Sequence, residues 1–216
     1  MTRPNTYLEE KFWPVYIAIQ DTSISDETIM DRFETGIYTE FHPDFYSMCL
    51  PSNSSGTERK TLFAYFIRKG FPLRANDDEK MPLSQMAFIA SMGGIEWVKF
   101  AVENYPRKLT LYDLGSSICN AASGRLFPVF KYLVDNTEAD RFWWCIASSF
   151  CTDGCVEGLE YCLLNDFPIR PDYCLEFITK YHPEMLEKSD LIRKYFVEHD
   201  DLGGRIKTLY MMDRVY

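Results

Sequence analysis

Histidine is scarce in this chain: three residues among 216, at positions 42, 182 and 199, and the first two precede proline. That leaves little imidazole for acid–base chemistry or for a zinc centre, which needs His partners or paired Cys-x₂₋₄-Cys ligands. Of the seven cysteines only Cys151 and Cys155 have such a spacing. They span an expected turn between helices with no histidine near in sequence, so the cysteines read as small core residues rather than a disulfide or metal framework. Positive charge is also short, with 23 Lys and Arg against 32 Asp and Glu, for a net charge of −9. No basic cluster follows a helix face, which argues against nucleic acid, whose binding rests on neutralising phosphates. No apolar run reaches the roughly 18 residues needed to span a bilayer. The start (Met1-Thr2-Arg3-Pro4-Asn5) has no apolar signal region, so the expected location is cytoplasmic and the Asn53-Ser54-Ser55 sequon is expected to go unused. Phosphate-binding glycine loops, His-Glu-x₂-His and Gly-x-Ser-x-Gly strings are all missing. His199-Asp200-Asp201 resembles two letters of a metal phosphohydrolase site but lacks further ligands, and reads as a solvated helix end. No enzymatic activity and no cofactor are expected.

What the chain has in quantity is aromatic residues, 16% of the total with 16 Phe and 14 Tyr, which predicts a core built of large rings. It also has a repeat. Gly93 to Asn104, Gly124 to Asn136 and Gly154 to Asn165 share one pattern. Lys99-Phe100-Ala101-Val102-Glu103-Asn104 aligns with Lys131-Tyr132-Leu133-Val134-Asp135-Asn136 and with Glu160-Tyr161-Cys162-Leu163-Leu164-Asn165. Lys99 to Lys131 is 32 residues and Lys131 to Glu160 is 29. An earlier copy, Ala64 to Leu73, aligns without gaps on Glu160 to Ile169. Ile95, Val98, Ala101 and Val102, like Val156, Leu159, Cys162 and Leu163, recur at helical spacing, and the glycine ahead of each helix permits a sharp turn. A period near 30 points to stacked helix pairs, since one pair cannot bury its apolar face alone.

These units resemble the second half of an ankyrin repeat. Gly93, Glu96, Val98, Lys99, Glu103 and Asn104 coincide with its consensus, as do Gly154, Glu157, Tyr161, Leu163 and Asn165; the second copy needs one inserted residue. The family's Thr-Pro-Leu-His tetrapeptide is absent, replaced by Ser84-Gln85-Met86-Ala87, Gly115-Ser116-Ser117-Ile118 and Cys145-Ile146-Ala147-Ser148, so its β-hairpin fingers are not expected here. The resemblance implies an all-α fold, a short solenoid of about four degenerate ankyrin-like helix pairs with helical caps at both ends. Residues 1–56 would form the N-terminal cap and linker, 57–200 the array and 201–216 a tail. Helices are expected near 60–69, 82–91, 95–104, 112–122, 126–136, 140–150, 155–165, 172–181 and 184–198.

The resemblance also implies noncovalent recognition of another protein through loop tips and the face lined by the first helices. The tip candidates are Tyr105, Arg107 and Lys108, then Asp140 and Arg141, then Arg170, with Trp144 opening a first helix. Tyr and Arg at such positions can anchor an interface. Phe167-Pro168-Ile169 repeats Phe71-Pro72-Leu73 and is expected to pack between units instead. Divergent arrays of this kind are common in large DNA viruses and intracellular pathogens, where the partner is often a host factor in cytoplasm or nucleus. Two rivals follow from the residues: a self-assembling component whose aromatic N-terminal segment docks on a neighbour, and a metal-dependent enzyme using His199 and Asp200.

Overall fold

The computed structural model describes residues 9–51, 58–74, 84–138 and 145–198, and among these every regular element is helical. The chain divides into two compact units. The first comprises Met1–Ala121 with Pro128–Ala139, the second Ala122–Phe127 with Asp140–Tyr216.

In the first unit, Pro14 sits in the opening turn of α1 (Trp13–Gln20), where its missing N–H costs nothing. α2 (Asp26–Glu34) starts at Ser25, whose hydroxyl accepts the Thr28 N–H at 3.2 Å. Asp26 and Glu27 in its first turn and Arg32 in its last suit the helix dipole. A turn at His42–Asp44 leads to α3 (Phe45–Met48). α4 (Lys60–Lys69) buries Leu62, Phe63, Phe66 and Ile67 and ends at Gly70, φ +67°. The Phe71 and Gly70 N–H groups bond back to Phe66 and Ile67, a helix stop that requires a left-handed residue at position 70. α5 (Gln85–Phe88), a π-helical turn over Ile89–Gly93 and α6 (Ile95–Asn104) follow. α7 (Leu111–Ser123) and α8 (Phe127–Asn136) complete the unit apart from the residues joining them.

Within this unit α3 packs on α5, and α4 packs on both α2 and α6. The core is aromatic, as composition predicts. Phe41 stacks on Phe71 at 4.3 Å, Phe66 meets Phe41 edge-on at 5.0 Å, and Phe63 meets Trp97 edge-on at 4.6 Å. The Phe71 carbonyl accepts two tyrosine hydroxyls, Tyr46 at 2.9 Å and Tyr105 at 3.0 Å. Arg59, 5% exposed, ties the start of α4 to α1 and α2. Its guanidinium donates to the carbonyls of Ile19, Asp21 and Ile24 and to the Asp26 carboxylate at 2.7 Å.

The second unit contains α9 (Cys145–Asp153), α10 (Val156–Leu164), α11 (Pro171–Tyr181), α12 (Glu184–Lys188) and α13 (Asp190–Arg193). α9 packs on α10 and on α11, and α10 packs on α13. α9 stops as α4 does, with Gly154 at φ +69° and the Cys155 N–H bonded to the Phe150 carbonyl. A methyl group on Gly154 would lie 2.7 Å from His182, whose Nε2 lies 2.9 Å from the Thr152 carbonyl oxygen. On α10 the side-chain-free Gly158 lets the Phe150 ring close in; a Cβ there would sit 2.3 Å from the ring.

Three expectations need correction. The helix expected over 82–91 is described only from Gln85 and gives way to the π turn at Ile89. The single helix expected over 184–198 breaks at Ser189, whose extended backbone (φ −133°, ψ 114°) ends α12 while its hydroxyl caps α13 at the Ile192 N–H, 3.1 Å away. A π turn over Lys194–Glu198 then follows. In the segment Gly124 to Asn136 the left-handed turn residue is Arg125, φ 58°, rather than Gly124, and in the segment Gly93 to Asn104 it is Gly94, φ 79°, rather than Gly93. All seven cysteines are free thiols.

Candidate functional site

The loop from α6 to α7 carries the first group of sequence-derived candidates, and the structure gives them different roles. Tyr105 is half-buried and spends its hydroxyl on the Phe71 carbonyl, so it anchors the loop from inside. Arg107 and Lys108 are exposed. Pro106, just ahead of them, lies against Gly70, where a Cβ would approach its ring to 2.6 Å, and so fixes the loop on the end of α4.

Beyond Lys108 the chain enters α7 through a capping box. The Thr110 N–H donates to Asp113 at 2.9 Å and the Asp113 N–H to the Thr110 hydroxyl at 3.1 Å, each satisfying an otherwise orphaned group. Asp113, 5% exposed, also accepts from Ser84 at 2.7 Å and from Arg74 at 2.8 Å. Burial disfavours its charge, yet the hydrogen bonds from Thr110, Ser84 and Arg74 outweigh that and hold its carboxyl below the usual carboxylate range. Ser84 in turn caps α5 through the Met86 N–H at 3.3 Å, so one carboxylate locks the starts of two helices.

This base supports a pocket of about 310 Å³ lined by Leu109, Leu111 and Leu114, with Lys108 and Glu138 at its mouth. Leu111 is 60% exposed while Leu114 is buried. The Lys108 ammonium lies 2.7 Å from the Glu138 carboxylate, and this hydrogen bond raises the ammonium pKa and lowers that of the carboxyl. Both groups are open to water and available to other partners. The basic rim is visible in the sequence, whereas the leucines, Glu138 and the Asp113 lock do not stand out there. The Thr110-x-x-Asp113 pattern ahead of an apolar run was the available signal.

In the second unit Arg170 is exposed and lies over the Tyr173 ring at 5.8 Å. Tyr173, Phe177 and Tyr181 continue along one flank of α11 with centroids 4.6 and 5.4 Å apart. Phe167 and Ile169 are buried, as expected for packing residues. Asp140, Arg141 and Trp144 lie outside the described residues, as do His199 and Asp200. Among the described residues no three His, Cys, Asp or Glu side chains converge as a metal ion would require, and no helix is long and apolar enough to cross a membrane. Comparisons with protein-family models, curated proteins and solved structures returned no match.

Proposed function

We propose that the chain is a noncovalent protein-recognition module, a short stack of degenerate ankyrin-like helix pairs that grips its partner at the α6–α7 loop tip. The observation that carries this reading is the leucine-lined pocket whose rim bears Lys108 and Glu138. It has the build of an interface anchor: an apolar recess able to take one large side chain, ringed by charges that select what surrounds that side chain. The stacked arrangement is supported inside each unit, where α3 meets α5, α4 meets α6, α9 meets α11 and α10 meets α13, so like members of successive pairs are in contact. The partner suited to this surface is a loop or helix end with an exposed Leu, Met or Phe beside a carboxylate, which would meet Arg107 and Lys108. A host factor met by a viral or pathogen protein is the setting that the resemblance suggests.

Affinity capture from a cell lysate tests the reading, run with the unaltered chain and with a variant carrying Arg107→Glu, Lys108→Glu and Leu111→Asp. All three side chains are exposed, so the variant should keep its helical circular dichroism. A protein retained by the first chain and lost by the second is the expected result. Capture unaffected by the substitutions would remove the loop tip as the site, and capture of nothing would remove the recognition function.

A further inference from the structure

A second surface of the first unit, remote in sequence from the loop tip, has a composition that specifies its ligand. α2 and α4 pack side by side, and the valley between them forms an open groove of about 780 Å³. Its floor is Met30 from α2 with Ala64 and Tyr65 from α4. Its two walls have opposite charge. Along α2 run Glu27, Asp31 and Glu34, at i, i+4 and i+7; along α4 run Lys60, Arg68 and Lys69. Glu34 and Lys69 meet across the groove at 2.6 Å. The Tyr65 hydroxyl also donates to Glu34. At the other positions Lys60 pairs with Glu58 on its own side, Arg68 lies over the Phe100 ring at 5.3 Å, and among the described residues no ion pair reaches Glu27 or Asp31.

We infer that this groove receives an amphipathic helix of a partner protein, apolar along its inner face, with Lys or Arg on the edge that meets α2 and Asp or Glu on the edge that meets α4. Three features lead there. Residues spaced i, i+3, i+4 and i+7 on α2 form the ridge that another helix packs against. α2 has 9 residues and α4 has 10, which at about 1.5 Å per residue gives a groove that fits two to three turns. Beyond their first and last turns the walls are helices whose backbone groups are bonded within each helix, so an extended peptide would leave most of its own main chain unpaired, whereas a helix arrives with those bonds made. The opposed charges then exclude helices that carry one sign on both edges, because like charges would face each other along one wall.

The test uses the full chain and three fluorescent peptides of about 16 residues with a common leucine and alanine stripe. One carries lysine on one edge and glutamate on the other; the second carries lysine on both; the third carries glutamate on both. By fluorescence anisotropy the mixed-edge peptide should bind about tenfold more tightly than either control, with the difference shrinking as salt is raised. Glu27→Lys with Asp31→Lys makes both walls basic and should turn the order round in favour of the glutamate-edged peptide. Lys108→Glu at the loop tip should leave the order as it is, which separates this groove from the first surface. Absence of saturable binding by any peptide, or binding by all three within about twofold, would overturn the inference. So would a dimer in sedimentation equilibrium that dissociates when the mixed-edge peptide is added, since that assigns the groove to a second copy.

Discussion

Arg59 joins the start of α4 to α1, to α2 and to the turn between them. A guanidinium with 5% exposure has been taken from water and given four acceptors, three of them main-chain carbonyls. Removing it strands those groups and the Asp26 carboxylate together. Arg59→Met should therefore destabilise the chain by about 3–5 kcal/mol in urea unfolding, and lysine should not rescue it, having no fork to reach several acceptors. Asp113 sets the acid limit. Its carboxyl ionises more readily in the fold than in the unfolded chain, so it contributes stability above the ordinary carboxylate range. That contribution is lost as pH falls through the lowered folded value, below about 4. Asp113→Asn should cost about 1–3 kcal/mol at neutral pH and flatten the acid limb of the stability profile, read from unfolding midpoints between pH 2 and 7. At Gly158 the pressure is steric. Alanine there drives a methyl into the Phe150 ring, with an expected loss of about 1–3 kcal/mol.

Among elements, those whose limits depend on local signals were the legible ones. Lys60–Lys69 and Ile95–Asn104 coincide with the expected helices, because an apolar stripe plus a flanking glycine defines each within its own residues. α12 and α13 read as one helix since nothing nearby stops them. The stop is Ser189, buried and donating to Glu160 at 2.5 Å, and Glu160 lies 29 residues earlier on α10. Ser189→Ala should cost about 1 kcal/mol as a lost cap, and the lost bond to Glu160 adds to this. Hydrogen exchange should place the fall in protection at Leu191 to Arg193 and leave α4 unaffected. The loop tip was legible only in part for the same reason. Arg107 and Lys108 stand out as charges between two helices, but Lys108 finds Glu138 only 30 residues later. Leu109 and Leu111 look like any leucines until Thr110 and Asp113 fix the turn that exposes one and tilts the other inward.

For the molecule as a whole, the free thiols report which parts stay closed. Cys49, Cys151, Cys162 and Cys174 are buried, whereas Cys119, Cys145 and Cys155 are only partly covered. Burial pushes the Cys49 and Cys162 thiols well above the ordinary range, so the reactive thiolate is doubly suppressed there. A thiol-exchange reagent at neutral pH should modify the three partly covered cysteines within the native state and the other four only on unfolding. Gly158→Ala should bring forward Cys151 and Cys162, which belong to the same unit, without hastening Cys49 in the other.

The two π turns bear on how such a chain can change over generations. A turn closed over five residues instead of four accommodates one extra residue without unwinding the helix around it. Those at Ile89–Gly93 and Lys194–Glu198 each directly follow a short α-helix, α5 and α13. A single residue gained or lost there is absorbed inside the helix rather than passed on as a shift in register. A lineage built this way can gain or lose single codons at those turns while its surfaces stay aligned.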